Sequence, residues 1–211
     1  MEIETKKMGK LIIARHHESE WNKLGKWTGV TEVHLSPDGF EGAKEMGKLI
    51  RDFNFDYIFT STQIRAHETL ENIMATAGIG VDTPIEKARE LNERDYGDYT
   101  GKNKLEIKDI LGEIEFKKLR RGWDVPISNG ESLKMVYGRS VPYYLNKILP
   151  LIKQGKNVLI VAHGNSIRSI MKYIEDISDE GIADVEMPFG SFLIYDLDEK
   201  GHTKNKEIRQ L

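Results

Sequence analysis

Three stretches of this sequence place phosphate-handling residue types where an apolar run gives way to polar residues. Lys10 to Arg15 is a short apolar run that delivers Arg15 and His16. Tyr57 to Thr60 delivers Ser61 and, one helical turn on, Arg65, and Asn157 to Ala162 delivers His163, Gly164 and Asn165. As neighbouring parallel strands, these runs would end on one edge and bring those side chains into one crevice. Two arginines and two histidines there would repel as bare cations, so the crevice expects an anion, and phosphate suits guanidinium donors. Imidazole is a competent nucleophile towards phosphorus. Glu93, in the irregular Leu91 to Gly97 segment, is the candidate acid. Each residue also has a plainer reading: Arg15 and His16 as surface ion-pair partners, His163 as a satisfied core histidine, Glu93 as a partner of Arg94. Their joint position at strand ends favours a site.

Other patterns fail on their context. Gly42 to Leu49 has the glycine and lysine spacing of a phosphate-binding loop, but Leu49 replaces the metal-binding hydroxyl and the segment lies inside an amphipathic helix. His16-His17-Glu18 does not make a metal site, because successive side chains of an extended segment point to opposite sides. No metal is expected.

The elements that must position these groups alternate. Ser36-Pro37-Asp38 starts a helix, with Ser36 as cap and Pro37 in the first turn, that should run to about Asp52. Gln63 to Ala77 reads as helix, residues 82 to 101 as turns, 103 to 120 as a strongly charged helix, and Asp124 to Gly130 as a loop. Glu131 to Lys153 reads as a longer helix that Pro142 starts or kinks. A further helix follows His163 to about Tyr173, and Phe192 to Leu197 closes as the last strand. Strands separated by such helices predict an α/β three-layer sandwich: a mostly parallel central sheet with helices on both faces, in one domain spanning 1–211.

Composition narrows the function classes. A net charge of -3 gives no reason to expect nucleic acid or anionic lipid as partner, no apolar run approaches a membrane span, and the opening Met1 to Lys7 lacks the features of a secretory signal. Zero cysteines fit a cytoplasmic protein. Two basic clusters, Lys117 to Arg121 and Lys200 to Arg209, read first as solvated faces or tails.

The sequence resembles the histidine phosphatase superfamily, and within it the 2,3-bisphosphoglycerate-dependent phosphoglycerate mutases, over almost its whole length. The resemblance rests on Arg15-His16, Trp27-Thr28-Gly29, Leu35-Ser36-x-x-Gly39, Arg65-Ala66, Leu91-Asn92-Glu93-Arg94-x-Tyr96-Gly97, Arg120-Arg121, Gly130-Glu131-Ser132-Leu133 and Ala162-His163-Gly164-Asn165-Ser166-x-Arg168. It implies an isomerase of glycolysis and gluconeogenesis that exchanges 3-phosphoglycerate and 2-phosphoglycerate, with 2,3-bisphosphoglycerate as primer and intermediate. By the same resemblance, His16 becomes phosphohistidine and Glu93 donates and accepts the proton. Arg15, Arg65 and His163 hold the transferring group, and Asn22, Thr28, Gly29, Gly164 and Asn165 add phosphate contacts. Tyr96, Lys104, Arg120 and Arg121 clamp the far end of the substrate, which gives the first basic cluster a use. A small phosphorylated molecule is the expected partner, and the chain itself a homodimer or monomer. The alternatives are a phosphatase of the same superfamily and a weakly active phospho-ligand-binding protein. The sequence departs from the family at His17, where the family carries glycine, in a short Asp124 to Glu131 connection, and in a brief C-terminal tail.

Overall fold

The computed structural model describes residues 7–211; most of the opening segment read for a signal, residues 1–6, lies outside them. A six-stranded sheet runs β3-β2-β4-β1-β5-β6. Its strands are β1 (Leu11–Arg15), β2 (Tyr57–Thr60), β3 (Ile85–Lys87), β4 (Val158–Ala162), β5 (Ser191–Leu197) and β6 (Thr203–Gln210). The first four in spatial order are parallel, whereas β5 pairs antiparallel with β1 and β6 antiparallel with β5. The near-continuous apolar runs of β1 and β4 fit central strands covered on both faces.

Side-chain alternation sorts those runs into two layers. Leu11, Ile13, Val158 and Ile160 pack on one face with α5 (Leu133–Tyr143), α6 (Leu149–Lys153) and α7 (Gly164–Ile174). Ile12, Ala14, Leu159 and Val161 pack on the other with α2 (Pro37–Lys48) and α3 (Ile64–Ala77). A short α1 (Glu20–Lys23) and the long α4 (Lys104–Arg121) lie apart, with Trp27, Ile107, Phe116, Leu119 and Ile127 forming a separate small core. The three layers match the sequence expectation. Among the described residues, no helix is long and apolar enough to cross a membrane.

Four boundaries differ from the sequence reading. Ser36 does cap α2, accepting from the Gly39 amide, but α2 stops at Lys48 and the chain turns before Asp52. The Glu131 to Lys153 helix begins at Leu133, carries Pro142 in its interior and continues through a π turn, Tyr144–Ile148, into α6. Proline cannot donate to the carbonyl four residues back, and the ladder widens just beyond it. The turn-rich 82–101 stretch holds the short strand β3, whose three side chains are all exposed and so show no apolar pattern. Lys200 to Arg209 is not a tail but largely the edge strand β6. Its charges suit an edge, where lysines discourage further pairing, and that hides it from a search for apolar alternation.

Candidate active site

The parallel register fixes the site. Arg15 lies beside Ala162, and Thr60 beside Val161, so His16, Ser61 and His163 leave the same edge together. A cavity of about 300 Å³ opens there, lined by thirteen of the fourteen expected site residues: Arg15, His16, Asn22, Thr28, Gly29, Arg65, Glu93, Tyr96, Lys104, Arg120, Arg121, Gly164 and Asn165. The fourteenth, His163, stands behind His16 with ring centroids 4.9 Å apart.

The two imidazoles differ in which nitrogen is occupied. His16 Nδ1 lies 2.6 Å from the His17 carbonyl. A carbonyl only accepts, so Nδ1 carries the hydrogen and Nε2 keeps its lone pair. Burial, reinforced by Arg65 and Arg15, holds the His16 pKa well below the usual histidine value, so the ring is neutral at neutral pH. His163 Nε2 pairs with Ser61 Oγ at 2.7 Å, while its buried Nδ1 has no partner. Its pKa is likewise driven well down, by burial and then by Arg65 and His16.

The arginines are held from behind. Arg65 donates to the carbonyls of Thr31 and Gly29 at 3.0 and 2.8 Å. Gly29 presents its carbonyl from a left-handed turn with φ 55°, a conformation glycine adopts without strain. Arg15 Nη1 donates to the Met187 carbonyl at 3.1 Å. Burial lowers the Arg65 pKa to about 10, and Arg15 also moves down. Arg15 Nε, Arg65 Nε, Arg168 Nε, His163 Nδ1 and Thr28 Oγ1 are all buried without a hydrogen-bond partner. Buried donors without acceptors are costly, and a bound oxyanion supplies the missing acceptors.

Glu93 has one oxygen committed. Its Oε1 accepts from the Arg94 amide at 2.7 Å and from the Asn165 amide and side-chain Nδ2 at 3.1 and 3.0 Å. That leaves Oε2 for proton exchange with a ligand. The carboxylate does not pair with the Arg94 guanidinium, which donates to the Glu131, Leu119 and Val125 carbonyls. Asn165 Nδ2 also reaches Tyr96 Oη at 2.7 Å, and Asn165 Oδ1 accepts from Arg168 at 2.9 Å. An arginine only donates, so Arg168 fixes which way the Asn165 amide faces. Asn22 spends its oxygen on the Ser19 amide and hydroxyl, which leaves its NH2 group for a ligand.

The far end of the cavity is a second cationic group. Lys104 opens α4, Arg120 and Arg121 close it, and Arg121 pairs with Glu186. Burial, with Arg120 and Arg15 nearby, lowers the Lys104 pKa to about 8.

Two contributions were missed by sequence reasoning. Arg168 enters the sequence pattern only as a motif residue, although it stands one helical turn beyond Asn165, where side chains share a face. Glu186, Met187, Pro188 and Phe189 form a strap along the cavity mouth. The irregular strap carries no periodic sequence signal; the antiparallel pairing of Ala14 with Phe192 in the structure returns the chain to this edge. Among the described residues, no group of three or more histidine, cysteine, aspartate or glutamate side chains is arranged to hold a metal ion.

Comparison with known proteins agrees with this construction. The sequence profile of the histidine phosphatase superfamily (branch 1) matches residues 11–207. Proteins named 2,3-bisphosphoglycerate-dependent phosphoglycerate mutase from Methanococcus vannielii and Parvibaculum lavamentivorans are each 40% identical to it. The first alignment covers 92% of this chain and 93% of the relative, the second 94% and 95%. Among solved structures, Bacillus stearothermophilus YhfR superposes with TM-score 0.79 at 27% identity, over 93% of this chain and 95% of that one. The α-ribazole phosphatase from Shigella flexneri, at 21% identity, shares the fold with TM-score 0.77 over 96% and 95%. The chain is thus a member of the histidine phosphatase superfamily, branch 1, and within it of the 2,3-bisphosphoglycerate-dependent phosphoglycerate mutase family.

Proposed function

We propose that this chain, working as one catalytic domain over 1–211, interconverts 3-phosphoglycerate and 2-phosphoglycerate through a phosphohistidine at His16. The observation that carries this reading is a cavity with two cationic ends, one at Arg15 and Arg65, with His163 behind His16, and the other around Lys104, Arg120 and Arg121. Hydrolysis of a phosphate ester needs the first alone. Exchange between two positions of one small acid needs both, since the group that is not reacting must be held while the other transfers.

In the reaction proposed, 2,3-bisphosphoglycerate first primes His16: the P–Nε2 bond forms with Nδ1–H still bonded to the His17 carbonyl, the ester P–O bond breaks, and protonated Glu93 gives its proton to the departing oxygen. The hydroxyl oxygen of a bound monophosphoglycerate then attacks phosphorus in line. The P–Nε2 bond breaks, neutral imidazole leaves, and Glu93 takes the hydroxyl proton. The resulting bisphosphate turns in the cavity and returns its other phosphoryl group to Nε2; that ester P–O bond breaks and Glu93 gives the proton back to the departing oxygen, which restores the phosphohistidine. Arg15, Arg65 and His163 Nδ1–H face the equatorial oxygens, where preorganised donors act most strongly. The Arg15 and Arg65 guanidinium groups supply the positive charge that a metal supplies elsewhere, and neutral His163 adds a hydrogen-bond donor.

The test compares mutase turnover with release of inorganic phosphate from the same phosphoglycerates. Mutase turnover far faster than phosphate release is expected. Phosphate release that matches or exceeds it would identify a phosphatase, and neither activity with retained ligand binding would identify a binding protein.

A further inference from the structure

Phosphohistidine is intrinsically open to water, so a mutase must keep solvent from the group that its own substrate is meant to receive. One side chain that lines the cavity beside His16 belongs to the strap before β5. Phe189 lays its ring over the Arg15 guanidinium, 4.0 Å from its central carbon, with its centroid 6.1 Å from that of His16. It lines the cavity together with Met187, whose carbonyl accepts from Arg15. Phe189 also meets His17, ring centroids 5.7 Å apart and planes inclined by 31°.

His17 does not line the cavity; it reaches away towards α2, where Gly42 makes room for it. A Cβ built at Gly42 would fall 2.2 Å from His17 Nε2, too close for any side chain to coexist with the ring in place. The departure from the family at residue 17 is therefore matched by a notch in α2 and by an aromatic partner on the strap. None of the three side chains carries out a transfer step itself, although Phe189 stacks on Arg15.

We propose that Phe189, propped by His17 seated in the Gly42 notch, shields the phosphorylated His16 from water and so sets the partition between transfer and hydrolysis. Phe189 is thereby a specificity-determining residue, and His17 and Gly42 are positioning residues that act through it. The reaction it suppresses is balanced as follows: water oxygen bonds to phosphorus, the P–Nε2 bond breaks, and neutral His16 is restored with Nδ1–H intact. Both water hydrogens remain on the released dihydrogen phosphate. The proposal rests on the phosphohistidine reading and can fail separately from it.

The experiment labels the protein with radioactive 2,3-bisphosphoglycerate, removes excess ligand, and follows loss of acid-labile label with time. Phe189→Ala is expected to shorten the phosphoenzyme lifetime at least fivefold and to lower the ratio of mutase turnover to phosphate release. Phe189→Leu, which keeps an apolar cover, should restore most of the lifetime. Gly42→Ala adds the residue helices prefer, lies outside the cavity lining, and evicts the His17 ring; it should shorten the lifetime in the same direction as Phe189→Ala. An unchanged lifetime in both alanine variants would overturn the shielding proposal alone. Absence of acid-labile label in the parent protein would overturn the phosphohistidine reading and the shielding proposal with it.

Discussion

The His16 end of the cavity and the α4 end use the same residue types but hold them by different means. At the first, His16, Arg65 and His163 are buried and Arg15 is part-buried; all leave strands or helices of the main core and are pinned by backbone carbonyls or a serine hydroxyl. At the second, Lys104 is part-buried, Arg120 is exposed and Arg121 pairs with the largely exposed Glu186; the three cations stand on a helix that rests on a small core of its own. Two fully buried arginines join the ends: Arg94 donates to the Leu119 carbonyl and Arg168 to that of Arg121. A transferring group must be placed to within a fraction of an ångström, whereas the group merely held must be released when the intermediate turns. Rigid placement suits the one end and exposed ion pairs suit the other.

The sharpest way to break this contrast is at the rigid end. Glu93→Gln keeps the size of the side chain and can still accept from Asn165 and Arg94, but it cannot take a proton. Mutase turnover should fall by roughly 10²- to 10⁴-fold, the usual contribution of general acid–base catalysis. Steady-state kinetics at several pH values checks this, and a loss of only a few-fold would assign the proton to another group.

At the α4 end the effect should depend on substrate. Arg120→Ala with Arg121→Ala removes charge-assisted bonds worth about 1.5 to 3 kcal/mol each, or roughly tenfold to a hundredfold per residue in mutase activity. Hydrolysis of a small phosphate ester, which has no far end to hold, should suffer much less. Equal losses on both substrates would merge the two ends into one phosphate pocket.

How far the sequence revealed these two ends follows from the same contrast. Strand-end positions at the rigid end depend on apolar runs such as Leu11–Ala14 and Val158–Ala162, which are visible directly because both faces of those strands are covered. Lys104, Arg120 and Arg121 could be placed only through the family resemblance. Their helix exposes Leu105, Ile110 and Ile114 at 68%, 76% and 71% and breaks at Gly112, where φ is 77°, so its apolar pattern does not announce a buried face. The strap and β6 were invisible for a related reason: one is irregular and the other is a charged edge strand.

A smaller effect concerns pH. Lys104, with a pKa lowered to about 8, loses its charge as pH rises through that value, so KM for phosphoglycerate should rise by about tenfold between pH 7 and 10 relative to a small ester. Lys104→Arg, which stays protonated, should flatten the profile. A parallel rise for both substrates would place the titration elsewhere.

Smallest of all is the change at His17 itself. His17→Gly should leave mutase turnover within about threefold, or roughly 0.7 kcal/mol, because the ring points away from the reacting group. A large loss in steady-state turnover would make His17 a participant in transfer.

The central claim, that His16 Nε2 carries the phosphoryl group while His163 only assists, is tested most directly by locating that group. Protein primed with 2,3-bisphosphoglycerate would be digested under alkaline conditions that preserve phosphohistidine, and the modified peptide fragmented by mass spectrometry. The account predicts one phosphoryl group on His16, absent from His16→Ala. A phosphoryl group found on His163, or retained by the His16→Ala protein, would contradict it.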